Sequence, residues 1–329
     1  MFLQIVFMVI GFALLVKGAD VLVEGASNIA KKFHIPEIVI GLTIVSIGTS
    51  MPELMVSLTS ALEGHSDISI GNAVGSNIAN LLLILGLCAI IKNLNFKRET
   101  KIFESPFAVV ITILLFIFAN NKIVDGTGTI GRAEGIVLVS LCVLFIIYNI
   151  IMAKKGEEFD GISKELVITN IEMSSARYIV KSIVYIILGI VGLKFGGDFV
   201  VNSSSEIARM MGLSEKLISL TIIAVATSLP ELVTSIIATK KGEVDLAIGN
   251  IIGSCIFNIV LIIGVSAIIS PISYSLSYNI DIAILIVATL FLALFPFIGK
   301  KDEMTRLNGM IYMVGYVMYM AFLVITNIS

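Results

Sequence analysis

The sequence predicts an all-α integral membrane protein of ten transmembrane helices, built as two inverted-topology repeats of five. Three observations carry this reading. Of the 329 residues, 57% are hydrophobic and 14% charged, and the mean hydropathy is +1.04; soluble domains run near 25% charged. The stretch Ser46-Ile47-Gly48-Thr49-Ser50-Met51-Pro52-Glu53-Leu54 returns as Ala224-Val225-Ala226-Thr227-Ser228-Leu229-Pro230-Glu231-Leu232. The match runs without a gap from residues 18–91 onto 196–269, with about 32 of the 74 pairs identical, the mark of a duplicated unit. Each half then holds five apolar runs, an odd number, so the second half enters the membrane from the opposite side.

A span needs about 20 mostly apolar residues. Ten runs qualify, at about 2–30, 36–62, 67–91, 103–120, 130–152, 177–207, 214–239, 245–269, 277–298 and 306–327. The first lacks a basic leader and a small-residue cleavage site, so it reads as a retained helix. The first and sixth are long and carry Lys17 with Asp20 and Lys194 with Asp198, so they are expected to tilt or to run past the bilayer. A single transport domain is expected over 1–329. Repeat one covers about 1–152, a cytoplasmic linker about 153–176 and repeat two about 177–329.

Orientation follows from Lys and Arg. With the N-terminus outside, the inner loops receive about sixteen of them, and the outer loops only Lys122, Arg132, Arg209 and Lys216. Both termini are therefore expected outside a cell membrane crossed many times, with the lipid bilayer as partner. No basic tract suits nucleic acid, and a monomer is expected. Cys88, Cys142 and Cys255 lie in apolar runs and read as buried free thiols. The only histidines, His34 and His65, fall at segment ends, which leaves no histidine-based metal or catalytic site.

Glu53 and Glu231 stand out against this background. A carboxylate at mid-membrane costs about 2.5–3.5 kcal/mol on insertion scales, and two at matched places point to an ion or substrate site. A purely structural Glu would want a Lys or Arg. Lys17 and Lys194 are the candidates, although they could pair with Asp20 and Asp198 or snorkel instead. Thr49 and Glu53 are four apart and share a helix face. Pro52 has no N–H to give and crowds the carbonyl four residues back, so backbone oxygens near Gly48 and Thr49 can come free. Carboxylate, hydroxyl and carbonyl oxygens together suit hard cations. The partner motif is Gly71-Asn72-Ala73-Val74-Gly75-Ser76-Asn77-Ile78-Ala79-Asn80, matched by Gly249-Asn250-Ile251-Ile252-Gly253-Ser254-Cys255-Ile256-Phe257-Asn258. Asn72, Ser76 and Asn80 form a stripe, as do Asn250, Ser254 and Asn258. The glycines four apart let another backbone come close, for packing, for a site, or for both. Lone Ser and Thr in such helices usually back-bond to the helix, and Asp20 and Asp198 read as structural or vestibule residues.

G-T-S-x-P-E followed by G-N-x-x-G-S, twice in inverted halves, resembles the repeats of the calcium/cation antiporter superfamily. Within it, the chain is similar to the sodium/calcium exchanger branch in its compact prokaryotic form, over nearly its whole length. The resemblance implies ten helices around a central ion cluster, with the first and sixth sliding across the core. It implies Glu53 and Glu231 as central ligands, and oxygens from Thr49, Thr227, Ser50, Ser228, Ser76 and Ser254. The carbonyls of Ser46 and Ala224 would complete the sodium sites, beside Asn80 and Asn258. Ala226 departs from the motif, which has Gly there. The implied activity is Ca²⁺/Na⁺ antiport with no cofactor beyond the transported ions, and no enzymatic chemistry. A Ca²⁺/H⁺ or other cation/H⁺ antiporter could use the same Glu pair. A cation channel fits an inverted repeat poorly, and an intramembrane hydrolase lacks H-E-x-x-H. Potassium-dependent relatives carry Asp at the position of Asn258, so the Asn here implies potassium independence.

Overall fold

Helix breakers and glycines decide where this chain bends and where its helices touch. The computed structural model describes residues 2–62, 67–121, 127–159, 176–210, 227–298 and 302–328. Among them eight helices are long and apolar enough to cross a membrane, or nine if the broken pair Glu37–Thr49 and Met51–Leu62 is one span. The remaining expected span, 214–239, lies partly outside the described residues, as does most of the expected linker. The elements are α1 (Phe2–Lys32), α2 (Glu37–Ile40), α3 (Ser46–Thr49), α4 (Met51–Leu62), α5 (Asp67–Ile78), α6 (Gly86–Ile91), α7 (Ser105–Asn120) and α8 (Arg132–Phe159). They continue with α9 (Ala176–Met210), α10 (Leu229–Lys241), α11 (Val244–Phe257), α12 (Gly264–Ile269), α13 (Tyr278–Leu294) and α14 (Arg306–Ile328). Wide π turns at Gly41–Val45, Ala79–Leu85 and Asn258–Ile263 join consecutive pieces of one span.

The chain forms two compact units, each drawing on both halves of the sequence: Met1–Pro52 with Val143–Gly253, and Glu53–Cys142 with Ser254–Ser329.

In the first unit, α1 and α9 run antiparallel in backbone contact. Gly11, Gly18 and Gly25 recur every seven residues on α1 and face Gly196, Gly189 and Ser182 on α9. A Cβ on Gly18 would lie 2.8 Å from the Leu193 nitrogen, and one on Gly25 2.8 Å from the Ser182 carbonyl. Lipid tails offer no hydrophobic drive for helix association, so close backbone approach and van der Waals contact do that work. Leu15, Leu22, Val23, Leu193 and Val200 fill the flanks of this seam. At 31 residues, α1 is about 46 Å long, more than a bilayer core requires. Its polar residues find partners away from the seam. Asp20 pairs with Lys241 at 2.6 Å rather than with Lys17, while Lys194 pairs with Asp198 at 3.3 Å, one turn away. Ser27 Oγ lies 3.2 Å from Glu37 and 3.0 Å from Glu243, and Lys31 donates to Glu243 at 3.1 Å. Burial works against the charge on Glu243, but the hydrogen bonds to Glu37 and Lys31 hold its pKa below the usual value.

In the second unit, two short antiparallel ladders tie loops from the two halves together. Leu94–Asn95 (β1) pairs with Glu303–Met304 (β4), and Thr127–Ile130 (β2) with Ile272–Ser275 (β3). Each ladder joins loops that the ten-span reading places on one side of the membrane. The outward faces of α8, α13 and α14 carry Ile136, Leu144, Val287, Ile311 and Met318, all exposed, as helices facing hydrocarbon should. Cys88, Cys142 and Cys255 are buried and form no disulfide, as expected.

Gly18→Leu is expected to destabilise the protein by about 1–3 kcal/mol, because the side chain has no room against α9. Val16→Leu, on the exposed face of α1, is the control and should be neutral. Thermal denaturation in detergent measures both; an unchanged midpoint for Gly18→Leu would show that the seam is not tight.

Candidate functional site

In the first unit the second span breaks at Ser50, which sits at φ −82°, ψ 9°, outside helical geometry. Pro52 explains the break, since it offers no N–H to Gly48 and its ring crowds that turn. Ser228, before Pro230, repeats the geometry at φ −85°, ψ 5°. The break turns hydroxyls toward one carboxylate and one amide. Ser50 Oγ donates to Glu231 Oε1 at 2.8 Å. Thr49 Oγ1 lies 3.0 Å from Asn250 Oδ1 and 3.3 Å from the Ser46 carbonyl, and its single hydrogen serves one of them at a time. Asn250 Nδ2 donates to Ser235 Oγ at 2.9 Å. Close packing brings these segments together: a Cβ on Gly249 would sit 2.5 Å from the Ile38 carbonyl, and one on Gly253 2.8 Å from that of Leu42. Thr227 Oγ1 and Ser228 Oγ are buried with no hydrogen-bond partner among the described residues.

The second unit holds the matched set. Asn72 Nδ2 donates to Ser57 Oγ at 3.0 Å, the counterpart of the Asn250–Ser235 bond, and lies 3.1 Å from the Glu53 carbonyl. Ser76 Oγ reaches Glu53 Oε1 at a long 3.5 Å. Asn80 and Asn258 sit in the matched π turns, a backbone form that recurs at functional sites. Each has a buried Oδ1 with no hydrogen-bond partner among the described residues. The Asn258 amide nitrogen donates to Asn77 Oδ1 at 2.9 Å.

Both acids are almost wholly buried, Glu53 and Glu231 at 1% exposure each. Of the residues singled out from sequence, the structure joins Ser50 to Glu231 and Ser76 to Glu53, and places Ser254 in full burial. The Ser46 carbonyl is engaged within its own turn, by the Ser50 nitrogen at 3.0 Å and by Thr49. Ala224 lies outside the described residues. The glycine expectation holds for Gly249 and Gly253. A Cβ on Gly71 would instead meet the Tyr278 hydroxyl at 3.1 Å, and Gly75 has nothing within 4 Å among the described residues. Ser57 and Ser235 were missed, although the repeat match and the spacing of four from each Glu carried the signal. Asn77 was missed because Cys255 stands at its matched position. Among the described residues no three of His, Cys, Asp and Glu gather. The oxygens described here are those of carboxylates, hydroxyls, amides and backbone carbonyls, a donor set for hard ions.

Buried acids one residue after a proline, at matched places in two repeats of membrane-length helices, define a multi-pass membrane transport protein. The chain matches the family model described as sodium/calcium exchanger protein over residues 3–151 and 181–325, and it belongs to that family. It is 37% identical to the putative antiporter CaxA of Alkalimonas amylolytica, over 97% of this chain and 98% of that protein. It is 32% identical to the sodium/calcium exchanger MaX1 of Methanosarcina acetivorans, over 97% of each. Its fold is similar to that of the sodium-calcium exchanger NCX_Mj soaked with Na⁺ and Sr²⁺, with a TM-score of 0.82 and 28% identity over 97% of this chain and 98% of that one.

Asn250→Ala removes a bond to Ser235 and one to Thr49. Such bonds between membrane helices average about 0.6 kcal/mol, so a loss of about 1 kcal/mol is expected. A double-mutant cycle with Ser235→Ala, read by thermal denaturation, should show coupling between the two positions. Strict additivity would remove the bond as a stabilising contact.

Proposed function

We propose that this member of a cation-antiporter family is a secondary antiporter that exchanges Ca²⁺ for Na⁺ by alternating access, acts as a monomer and has no need of K⁺. One observation carries the reading: each matched half presents a single carboxylate buried to 1% exposure with a serine hydroxyl turned toward it, Ser76 to Glu53 and Ser50 to Glu231. A carboxylate at that depth is expensive without a counter-charge, and a transported cation supplies one. Glu53 and Glu231 are the ligands that carry charge. Thr49, Thr227, Ser50, Ser228, Ser76, Ser254, Asn80 and Asn258 add neutral oxygens, and the carbonyls of Ser46 and Ala224 add backbone ones. Two carboxylates neutralise one Ca²⁺, while sodium ions spread over the neighbouring oxygens. The helices α1 and α9, packed by their glycine seam, are the moving element. Both termini face outward from the cell membrane.

Ca²⁺ uptake into vesicles driven by an outward Na⁺ gradient tests the exchange. It should saturate, stop without Na⁺ and persist when an ionophore collapses the pH gradient; dependence on the pH gradient would favour H⁺ as counter-ion. Glu53→Gln and Glu231→Gln should each abolish exchange while leaving the ion-free protein no less thermally stable, since a neutral amide keeps the shape and removes a buried charge. Near-normal transport by either variant would take that Glu out of the site.

Potassium dependence is decided at Asn258. An Asp there would add a third negative charge that a monovalent cation could balance, whereas Asn offers a neutral oxygen. Exchange should run at equal rates when K⁺ is replaced on both sides by a large organic cation. A requirement for K⁺ would overturn this part of the reading.

A further inference from the structure

An asparagine can serve a cation only through its carbonyl oxygen; turned over, it presents an NH₂ group instead. Something must therefore decide which way the Asn258 amide faces. The second unit contains a relay that does so. The Cys255 carbonyl accepts from Asn77 Nδ2 at 3.0 Å, and Asn77 Oδ1 accepts from Asn258 Nδ2 at 2.9 Å. A backbone carbonyl can only accept, so it fixes the Asn77 amide with its nitrogen toward Cys255. Asn77 must then offer oxygen to Asn258, and Asn258 must answer with nitrogen. The one polar atom left over is Asn258 Oδ1, buried and with no hydrogen-bond partner among the described residues. Asn77 is wholly buried and Asn258 nearly so, so water is not at hand to satisfy a reversed arrangement. A reversed Asn258 would set oxygen against oxygen and strand its own NH₂ group, a costly state in an apolar interior.

We propose that Asn77 is a positioning residue that keeps the Asn258 carbonyl oxygen turned out as a cation ligand. The relay joins Asn77 of the first repeat to Cys255 and Asn258 of the second. At the position matched to Asn77 the second repeat has Cys255, whose thiol is a weak donor and acceptor and lies 4.0 Å from the Asn77 carbonyl. The proposal rests on the reading of Asn258 as a ligand, and the experiment separates the two.

Exchange is measured in vesicles as a function of Ca²⁺ and of Na⁺ for the unaltered protein and five variants: Asn77→Ala, Asn77→Ser, Asn258→Ala, Asn258→Asp, and Asn77→Ala combined with Asn258→Asp. Asn77→Ala should raise the apparent KM for the cations by about fivefold or more while lowering the maximal rate less. In the Asn258→Asp background the same change should move KM by less than about twofold, because the two oxygens of a carboxylate are equivalent and need no orienting. Asn77→Ser, with a hydroxyl able to accept from Asn258, should fall between Asn77→Ala and the unaltered protein. Equal effects of Asn77→Ala in both backgrounds would mean packing alone and would overturn the proposal. If Asn258→Ala shifts KM and Asn77→Ala does not, the relay fails and the ligand stands. If neither shifts it, both fail. Should Asn77→Ala yield too little folded protein, stabilisation of Asn77→Ser by Ca²⁺ in detergent, read as a thermal shift, replaces it; a shift equal to that of the unaltered protein overturns the proposal.

Discussion

The charge of a carboxylate in an apolar interior is the constraint around which this molecule is arranged. Glu53 and Glu231 are each 1% exposed, with Ser76 reaching the first and Ser50 donating to the second, and a carboxylate withdrawn from water is costly to keep charged. Amide carbonyls at Asn80 and Asn258 and hydroxyls at Thr227 and Ser228 lack hydrogen-bond partners among the described residues. On the proposed reading a bound cation would give these buried oxygens the partner they lack.

Two kinds of packing meet in this fold, and they differ in what they permit. Around Asn72, Asn250, Ser57 and Ser235 the contacts are directional hydrogen bonds between specific atoms, which fix register. Between α1 and α9 the contacts are chiefly glycine against backbone, repeated every seven residues, with one directional bond from the Tyr178 hydroxyl to Asn28 Oδ1 at 2.9 Å and others from α1 at Asp20–Lys241 and at the Ser27–Lys31–Glu243 junction. A seam of small residues holds its two helices to each other, and the side chains flanking it join one buried cluster with Ile40, Val45, Ala238 and Leu246. The polar clusters, by contrast, resist displacement because every shift breaks a bond in a medium with no water to replace it.

Much of this was legible in the sequence because membrane constraints act locally. Runs of about 20 apolar residues mark spans, Pro52 marks the break that Ser50 occupies, and Pro230 follows Ser228, whose backbone has the same geometry. The repeat made Glu53 and Glu231 conspicuous together. What stayed hidden depends on tertiary partners. Gly11, Gly18 and Gly25 are visible as a period of seven, but their meaning comes only from Gly196, Gly189 and Ser182 across the seam. Lys17 looked like the natural partner for Asp20, being three residues away, yet Lys241 holds it. The ladders β1–β4 and β2–β3 are too short to leave a period-two pattern. Asn77 was invisible for the opposite reason to Glu53: the repeat that flags shared residues conceals those that differ.

That last difference bears on how a duplicated protein becomes specific. Identical halves would offer a cation two equivalent environments. Here the carboxylates, the hydroxyls and the two π turns are shared, while the neighbours of the amides are not: Asn77 in one half, Cys255 in the other. On the proposed reading the two carboxylates set the charge that bound ions must balance, and neutral amide oxygens leave that charge unchanged. What an amide can alter is the direction of its dipole, and a relay ending on a backbone carbonyl sets that direction without adding charge. Ion choice can then diverge between two halves that keep the same acids, through residues that touch no ion themselves.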